Sequence, residues 1–176
     1  RSGGVGKARR TLMDAISARA EPNDLIVCLD GDTWIPFNYL QAVEESFALC
    51  PRPIALVSPY WHPLVGDPQR DRALLRYEIY LRTYALNLWR IRSPYAFTAL
   101  GSAISLPVAS YRAVGGMPIR QAGEDFHFLC KLRKLGPLFN GCPQRVYPSG
   151  RPSARVPFGT GPAVRRGQKG DWSRYP

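Results

Sequence analysis

The chain has 176 residues and carries 24 Lys and Arg against 13 Asp and Glu, which gives a net charge of +11. This length suits one domain, and the hydrophobic fraction of 45% argues against a disordered or fibrous protein. No apolar run approaches the roughly 18 residues of a membrane span, and the positive charge indicates an anionic partner such as a nucleotide, a nucleic acid, a phosphorylated intermediate or an anionic lipid.

The cysteines and the first residue place the chain in a broad class. Cys28, Cys50, Cys130 and Cys142 show neither a CxxC pair nor a metal-like spacing, which favours reduced thiols in a cytosolic protein. The chain begins with Arg1 rather than Met, and no signal peptide is visible. We therefore expect a fragment of a longer cytoplasmic protein.

The first element is a basic helix. Residues 3–6 are rich in glycine and precede Lys7, but no Ser or Thr follows the lysine and no strand precedes the segment, so a phosphate-binding loop is excluded. A helix is predicted from Lys7 to about Ala20, with Arg9 and Arg10 in its first turns. Basic charge there opposes the helix dipole. A bound diphosphate would compensate it, and a solvated helix start explains the residues equally well.

The next element is a buried strand that ends in two carboxylates. Residues 25–29 are an uninterrupted apolar run followed by Asp30, Gly31 and Asp32. A run this short is typical of a strand buried on both faces, and parallel α/β sheets bind ligands past the carboxyl ends of such strands. The two carboxylates suit Mg²⁺ or Mn²⁺ held together with substrate phosphates, while Gly31 lets another group approach the backbone. A plain Asp-Gly turn would explain the same residues.

The middle of the chain alternates between helices and strands. Pro36 predicts a helix that runs to about Leu49, and residues 54–58 form a second buried strand, so we expect a right-handed parallel βαβ unit. A long helix is predicted over residues 69–91, with several arginines among its apolar residues. Such a helix can lie on an anionic membrane surface. We favour packing against the domain, because its apolar residues spread over more than one face.

The last third contains a strand, two helices and an irregular tail. A strand over residues 99–106 starts from a bend, and a short helix follows. The next helix begins at Glu124 and Asp125 and ends at Gly136. Acidic residues at a helix start are stabilised by the dipole, so capping alone explains them equally well. Residues 140–176 are rich in Pro, Gly and Arg, which predicts an irregular segment that lies across a site or is partly disordered.

The order of these motifs along the chain is more specific than any single motif is alone. The basic Ala8-Arg9-Arg10 helix start precedes Asp30-Gly31-Asp32, and Gly115-Gly116 and Gly123-Glu124-Asp125 follow much later. In this order the motifs resemble those of the family 2 glycosyltransferases of the GT-A fold, over about residues 3–137.

The resemblance implies an α/β fold of the GT-A, Rossmann-like type. Its mostly parallel central sheet would be flanked by helices, and the family's first strands are missing from this chain. We therefore expect a partial GT-A catalytic domain over residues 1–139 and an irregular basic C-terminal segment over residues 140–176.

The same resemblance implies the reaction and the donor site. It predicts metal-dependent, inverting transfer of a sugar from a nucleoside-diphosphate sugar to an acceptor hydroxyl. The Q-x-x-R-W motif of processive synthases is absent, which favours a non-processive enzyme. The residues expected on the donor side are Lys7, Arg9, Asp30, Gly31 and Asp32, with Asp32 and Asp30 as ligands of Mg²⁺ or Mn²⁺ and help from the tail arginines Arg151 and Arg155.

The acceptor side is assigned in the same way. By resemblance, Asp125 is the general base that takes the acceptor proton, and Glu124 orients the acceptor or Asp125. Gly101 and Ser102 are placed on the acceptor side. His127 lies where the family often carries an acidic residue, and we interpret it as an acceptor contact or a polar helix residue.

Partners and competing functions follow from charge and resemblance. We expect a glycan or lipid-linked acceptor of bacterial cell-envelope polysaccharide biosynthesis, a peripheral contact with anionic membrane at the inner face of the cell membrane, and no nucleic acid. A glycoside hydrolase also uses paired carboxylates, although its substrate needs no phosphate. The net charge and the interleaved arginines and aromatic residues also suit a basic nucleic-acid-binding module, and the missing first strands suit an inactive structural fragment.

Overall fold

The computed structural model describes residues 4–50, 52–154 and 156–173. Gly3 and Arg155, to which the sequence patterns above extend, lie outside these ranges. The chain divides into two compact units that interleave along the sequence: a first unit of residues 1–61 and 99–148, and a second unit of residues 62–98 and 149–176. The boundary expected after residue 139 therefore falls inside the first unit.

The described residues form six helices, four strands and one 3-10 turn. In chain order these are α1 (Gly4–Ser17), β1 (Leu25–Val27), α2 (Tyr39–Leu49), β2 (Ala55–Val57), α3 (Pro68–Arg90), the 3-10 turn (Gly101–Ala103), β3 (Ile104–Pro107), α4 (Val108–Ala113), α5 (Glu124–Leu135), β4 (Leu138–Phe139) and α6 (Thr160–Gln168). The second unit contains α3 and α6, and the first unit contains the rest. Within the described ranges, no helix combines the length and the apolar character needed to cross a bilayer.

The sheet confirms the α/β class but corrects its expected strand directions. Its strand order is β1-β3-β2-β4. β3 is antiparallel to both β1 and β2, and only the β2–β4 pair is parallel, so the prediction of a mostly parallel sheet was wrong for these strands. β1 and β2 do run in the same direction, but β3 lies between them. The sequence could not reveal this, because a short buried apolar run looks the same in either direction.

The antiparallel pairing decides which loops meet. Val27 lies opposite Ser105, and the Cys28 N–H continues the ladder by donating to the Ile104 carbonyl at 2.9 Å. The carboxyl end of β1 therefore lies beside the amino end of β3. The Asp30-Gly31-Asp32 turn and the 3-10 turn consequently emerge at the same edge of the sheet.

The core of the first unit fixes α5 against the sheet. Phe128, Leu129 and Leu132 are fully buried and recur at helical spacing on one face of α5. Burial of each such side chain contributes roughly 1.5–3 kcal/mol. The helix begins at Glu124 after Gly123, whose φ is 71°, and its last turn is basic, which complements the helix dipole.

The glycine-rich start of α1 serves close packing. The helix begins at Gly4, three residues before the predicted start. A Cβ added at Gly6 would lie 2.7 Å from the Pro118 carbonyl oxygen and 2.8 Å from the Arg120 nitrogen. Gly6 therefore lets the backbone of residues 118–120 pack directly against the first turn of α1.

In the second unit, α3 lies within one residue of its predicted bounds at each end. Its N-cap, Asp67, accepts hydrogen bonds from the Gln69 and Arg70 N–H groups at 3.0 and 3.1 Å, and Pro68 occupies the first turn. Both features are standard at helix starts.

α6 corrects the expectation of an irregular tail. Its Val164 packs in a small core with Ala73 and Leu74 of α3. A Cβ at Gly167 would lie 2.5 Å from the Ala73 Cβ, so the glycine allows the two helices to approach closely. Small residues give little apolar periodicity, so the sequence pattern did not predict this helix.

A buried polar network joins the loop before α3 to both helices of the second unit. His62 Nδ1 lies 2.6 Å from Glu78 Oε1, which also accepts the His62 backbone N–H at 2.8 Å. Arg82 Nη1 donates to Glu78 Oε2 at 2.7 Å, and Thr160 Oγ1 lies 3.3 Å from His62 Nε2. Burial alone would raise the pKa of Glu78, but these partners lower it below its usual value.

This network predicts a pH-dependent stability. Because the folded-state pKa of Glu78 is depressed, its carboxylate stabilises the fold above its usual pKa, and that contribution is lost as the pH falls. We expect Glu78→Gln to lower the free energy of unfolding by about 1–3 kcal/mol at neutral pH, with a smaller loss below about pH 4. Urea unfolding at both pH values measures this.

The exposed Glu45 of α2 provides the control for that variant. Glu45→Gln should change the free energy of unfolding by less than about 0.5 kcal/mol at either pH. A Glu78→Gln deficit that is the same in acid as at neutral pH would contradict a role for the ionised carboxylate.

Candidate functional site

Arg9 of α1 joins the two acidic motifs that are far apart in the sequence. Its Nη2 donates to Asp30 Oδ1, and its Nε lies 4.0 Å from Glu124 Oε1. The Arg9 side chain is only 13% exposed. The structure therefore brings the turn after β1 and the start of α5 to a single buried guanidinium group.

The surroundings of Arg9 keep it charged. Burial alone would lower its pKa, but the neighbouring negative groups, Asp30 foremost and Glu124 among them, raise it above its usual value. A guanidinium held in this way is a fixed positive charge at the edge of the sheet. It can pair with carboxylates and phosphates in the same planar geometry.

The Asp30-Gly31-Asp32 segment is a turn as well as a candidate site. The Thr33 N–H donates to the Asp30 carbonyl at 3.0 Å, which closes a four-residue turn. The Asp30 side chain is about half exposed, and Asp32 is exposed. The turn and the metal-site interpretations of this segment are therefore compatible, since the turn presents both carboxylates at the surface.

These carboxylates fit a divalent cation only as a partial site. Among residues 4–50, 52–154 and 156–173, no three His, Cys, Asp or Glu side chains are grouped to hold a metal. Mg²⁺, however, is commonly bound through one or two carboxylates with substrate phosphates and water completing its coordination. Asp30 and Asp32 are the residue types that such an arrangement uses, and Asp30 also pairs with Arg9.

Glu124 and Asp125 occupy the first turn of α5 without capping it. The N-cap position belongs to Gly123, and no side chain caps the helix there. Asp125 Oδ1 instead accepts the N–H of its neighbour Phe126 at 2.8 Å. Both carboxylates lie in the first turn, so the helix dipole stabilises them as the alternative interpretation expects, and Glu124 in addition lies near Arg9.

Both carboxyl groups have raised pKa values. Burial is the main cause for Glu124, and the charge of Asp125 adds to it, while Arg9 opposes the shift. Burial also raises the pKa of Asp125, against the Phe126 N–H and the Arg9 charge, and Asp30 raises it further. Asp30 and Asp125 are thus close enough for their charges to interact.

Gly101 lies against Arg9, and Ser102 follows it in the 3-10 turn. A Cβ at Gly101 would overlap the Arg9 guanidinium, so the absence of a side chain makes room for it. Arg9 Nη1 and Ser102 Oγ are both buried and have no hydrogen-bond partner in the part of the chain that the structure describes. Buried polar groups in this state cost about 1–3 kcal/mol each unless a ligand or water satisfies them.

Other predicted residues are not joined to this cluster by any contact that we observe. Lys7 is exposed on α1 and, two residues before Arg9, it does not share its helix face. No protein atom lies within 4 Å of a Cβ built at Gly31. His127 is exposed, with its ring centroid 5.6 Å from that of Phe126. Arg151 belongs to the second unit.

One neighbour of the cluster was missed by the sequence interpretation. Cys28 is buried in the strand run and interacts with the charges of Arg9 and Asp30. Burial raises the pKa of its thiol to about 11, so it is neutral and inert at physiological pH. Its position two residues before Asp30 was visible in the sequence, but its proximity to Arg9 depends on the fold.

Arg10 has a different role from Arg9. Its Nη1 donates to the Met117 carbonyl at 3.1 Å, and its Nε to Asp14 Oδ2 at 3.2 Å. Tyr111 of α4 also donates to Asp14, at 2.5 Å. Of the two adjacent arginines, one thus holds α1 against the segment after α4, and the other faces the acidic cluster.

Comparison with protein-family models, with curated proteins and with solved structures found no match to this chain. The candidate site therefore rests on its own chemistry, which is a buried arginine that meets Asp30 and Glu124 at the edge of a sheet.

The packing of Gly101 on Arg9 predicts a coupled pair. We expect Gly101→Ala to displace the guanidinium, which is the flexible end of its side chain, and to cost about 1–3 kcal/mol of unfolding free energy through the lost Arg9 contacts. In an Arg9→Met background the same glycine substitution should cost much less. Chemical denaturation of the four proteins in this cycle measures the coupling.

Gly31→Ala is the matched control, because the space around Gly31 is open. It should change the free energy of unfolding by less than about 0.5 kcal/mol. Strictly additive effects of Gly101→Ala and Arg9→Met would rule out the proposed steric contact.

Proposed function

We propose that the first unit is part of a glycosyltransferase that moves a sugar from a nucleoside-diphosphate sugar to an acceptor hydroxyl. The observation that carries the proposal is the meeting of Asp30 and Glu124 on Arg9. The reaction needs a site for a departing diphosphate next to a carboxylate that can take a proton. Separate acidic motifs that converge on one buried cation support such an arrangement.

The donor side uses Arg9 and the turn after β1. Arg9 keeps its charge, and its buried Nη1 lacks a protein partner within the described ranges. A diphosphate oxygen would satisfy that donor and would accept a charge-assisted hydrogen bond. Lys7, on the same helix, adds positive charge that would assist electrostatically.

A divalent cation completes the donor side of the proposal. Asp32, together with Asp30, would hold Mg²⁺ or Mn²⁺ against the diphosphate. When bound, the cation supplies charge neutralisation and Lewis-acid activation of the leaving group. The space around a Cβ built at Gly31 is open among the described residues, which leaves room for a ligand to approach the turn.

The acceptor side uses Asp125 as the general base. The acceptor oxygen attacks the anomeric carbon and forms the new C–O bond, while the bond to the diphosphate breaks and its electron pair leaves with the phosphate oxygen. Asp125 takes the hydroxyl proton. Its raised pKa makes it a stronger base than an exposed aspartate, and attack opposite the leaving group inverts the anomeric centre.

Glu124 is a positioning residue in this scheme. It is buried and lies near Arg9, so it orients the guanidinium. Ser102, whose hydroxyl is buried without a protein partner among the described residues, would bond a sugar hydroxyl. The resemblance to family 2 enzymes adds a glycan or lipid-linked acceptor of the cell envelope and a single, non-processive transfer.

The metal role predicts a specific binding defect. Calorimetry with a panel of nucleoside diphosphates should show binding that weakens at least tenfold when Mn²⁺ is replaced by a chelator. Asp32→Asn should remove the metal-dependent part of that affinity, because a neutral amide is a weaker ligand for a hard cation. Glu44→Gln, an exposed change on α2, should have no effect.

Equal affinity in Mn²⁺ and in chelator would refute the metal role of Asp32. Tight, metal-independent and steeply salt-dependent binding of RNA or DNA would instead favour a nucleic-acid-binding module.

The base role predicts a loss of turnover with donor binding retained. Asp125→Asn should lower the rate of transfer by at least about 10²-fold, while its amide oxygen can still accept the Phe126 N–H. The wild-type rate should rise with pH through the raised pKa of Asp125, and this limb should be absent from the variant. Unchanged turnover would exclude Asp125 as the base.

A stability measurement distinguishes the loss of the general base in Asp125→Asn from misfolding of the variant. Because the folded-state pKa of Asp125 is raised, its ionisation costs stability as the pH rises through that pKa. Asp125→Asn should therefore be at least as stable as the wild type at neutral pH, and thermal unfolding checks this.

A further inference from the structure

The two halves of α3 have different environments. In the first half, Ala73, Leu74 and Tyr77 are buried, and Ala73 and Leu74 form a core with Val164 of α6. From residue 79 to the end of the helix, no side chain is buried. The second half therefore presents most of its circumference to solvent.

Large apolar side chains cover this exposed half. Ile79 and Leu86 lie seven residues apart, with Trp89 one turn beyond, so they form one stripe along the helix. Tyr80 and Tyr84 begin a second stripe beside it. Trp89 is 68% exposed and Ile79 63%. Contiguous exposed apolar side chains of this size mark an interaction surface rather than ordinary surface composition.

The charge of this segment has one sign. Arg90 and Arg92 lie among the apolar residues, whereas Arg82 already pairs with Glu78, and residues 79–98 contain no Asp or Glu. The partner should therefore offer negative charge together with an apolar layer. Tyr and Trp are the side chains enriched where water meets the hydrocarbon of a membrane, and arginine stems can lie along an apolar surface while their heads reach phosphate.

We propose that residues 79–92, named here the α3 surface, dock on a bilayer that contains anionic phospholipid. The helix is too polar to cross the membrane, so it lies in the plane of the headgroups with its apolar stripes directed towards the acyl chains. Arg90 and Arg92 bind the lipid phosphates. This inference needs neither the donor site nor the transfer reaction.

A second copy of the chain fits the α3 surface less well than a bilayer does. In a symmetric dimer the same surface meets itself, which would bring the arginines of one copy against those of the other. No acidic residue between positions 79 and 98 could compensate this repulsion. An anionic bilayer instead offers a counter-charge to each arginine.

The test measures co-sedimentation of the full chain with two kinds of vesicle. One is made of equal parts phosphatidylglycerol and phosphatidylcholine, and the other of phosphatidylcholine alone. We expect partitioning at least tenfold stronger to the anionic vesicles, weakening as salt screens the charge. Absence of binding to the anionic vesicles overturns the proposal.

Apolar variants assign the binding to the α3 surface. The double variant Leu86→Gln, Trp89→Gln should lower the partition coefficient at least tenfold, because buried apolar area drives interfacial binding. The matched control is Phe37→Gln, Leu49→Gln, which removes one aromatic and one aliphatic side chain that are 102% and 84% exposed in the first unit. An equal loss in the control overturns the assignment.

A charge variant tests the electrostatic half of the proposal. Arg90→Gln should lower anionic-vesicle binding about fivefold at low salt, whereas Arg165→Gln, an exposed position on α6, should change it less than twofold. Circular dichroism confirms that the variants keep their helices. One outcome would assign the α3 surface to a second copy of the chain. In it, the wild type forms dimers, the double variant Leu86→Gln, Trp89→Gln does not, and neither protein binds lipid. The proposal would then be wrong.

Discussion

The first unit depends on one buried positive charge. Taking the Arg9 guanidinium out of water is costly unless carboxylates surround it, and Asp30 and Glu124 supply them. These contacts tie a helix start, a turn after a strand and a second helix start to one point. Arg9 near the start of α1 thus has a tertiary explanation in Asp30 and Glu124, whereas its neighbour Arg10 pairs with Asp14 of the same helix.

Local signals in the sequence predicted the elements better than their arrangement. Gly123 and Gly136 bracket α5, so its bounds could be read directly. The direction of β3 could not be predicted, because its residues are buried whichever neighbour they pair with. The structure brings Asp30 and Glu124, from two acidic motifs far apart in the sequence, to one arginine. The contact of Gly101 with Arg9 depends on distances between atoms, which motif spacing does not encode.

The two halves of α3 in the second unit differ in their packing. Its first half is held by Leu74 in a small apolar core and by the His62–Glu78 pair in a polar one. A fully satisfied buried network of this kind orders the chain around it. Beyond Arg82 the helix joins neither of these clusters, and of its side chains only Ala85 and Leu88 are half-buried.

The close approach of Arg9 to Gly101 sets a rule for sequence variation. Any side chain at position 101 competes for the volume that the guanidinium fills, whereas a shorter residue at position 9 would vacate it. The two positions should therefore co-vary, with glycine at 101 accompanying arginine at 9 and larger residues tolerated only where the arginine has been lost. A chain with a bulky residue at 101 would have no room for the buried guanidinium. It would therefore lose the contacts that hold the two acidic motifs together.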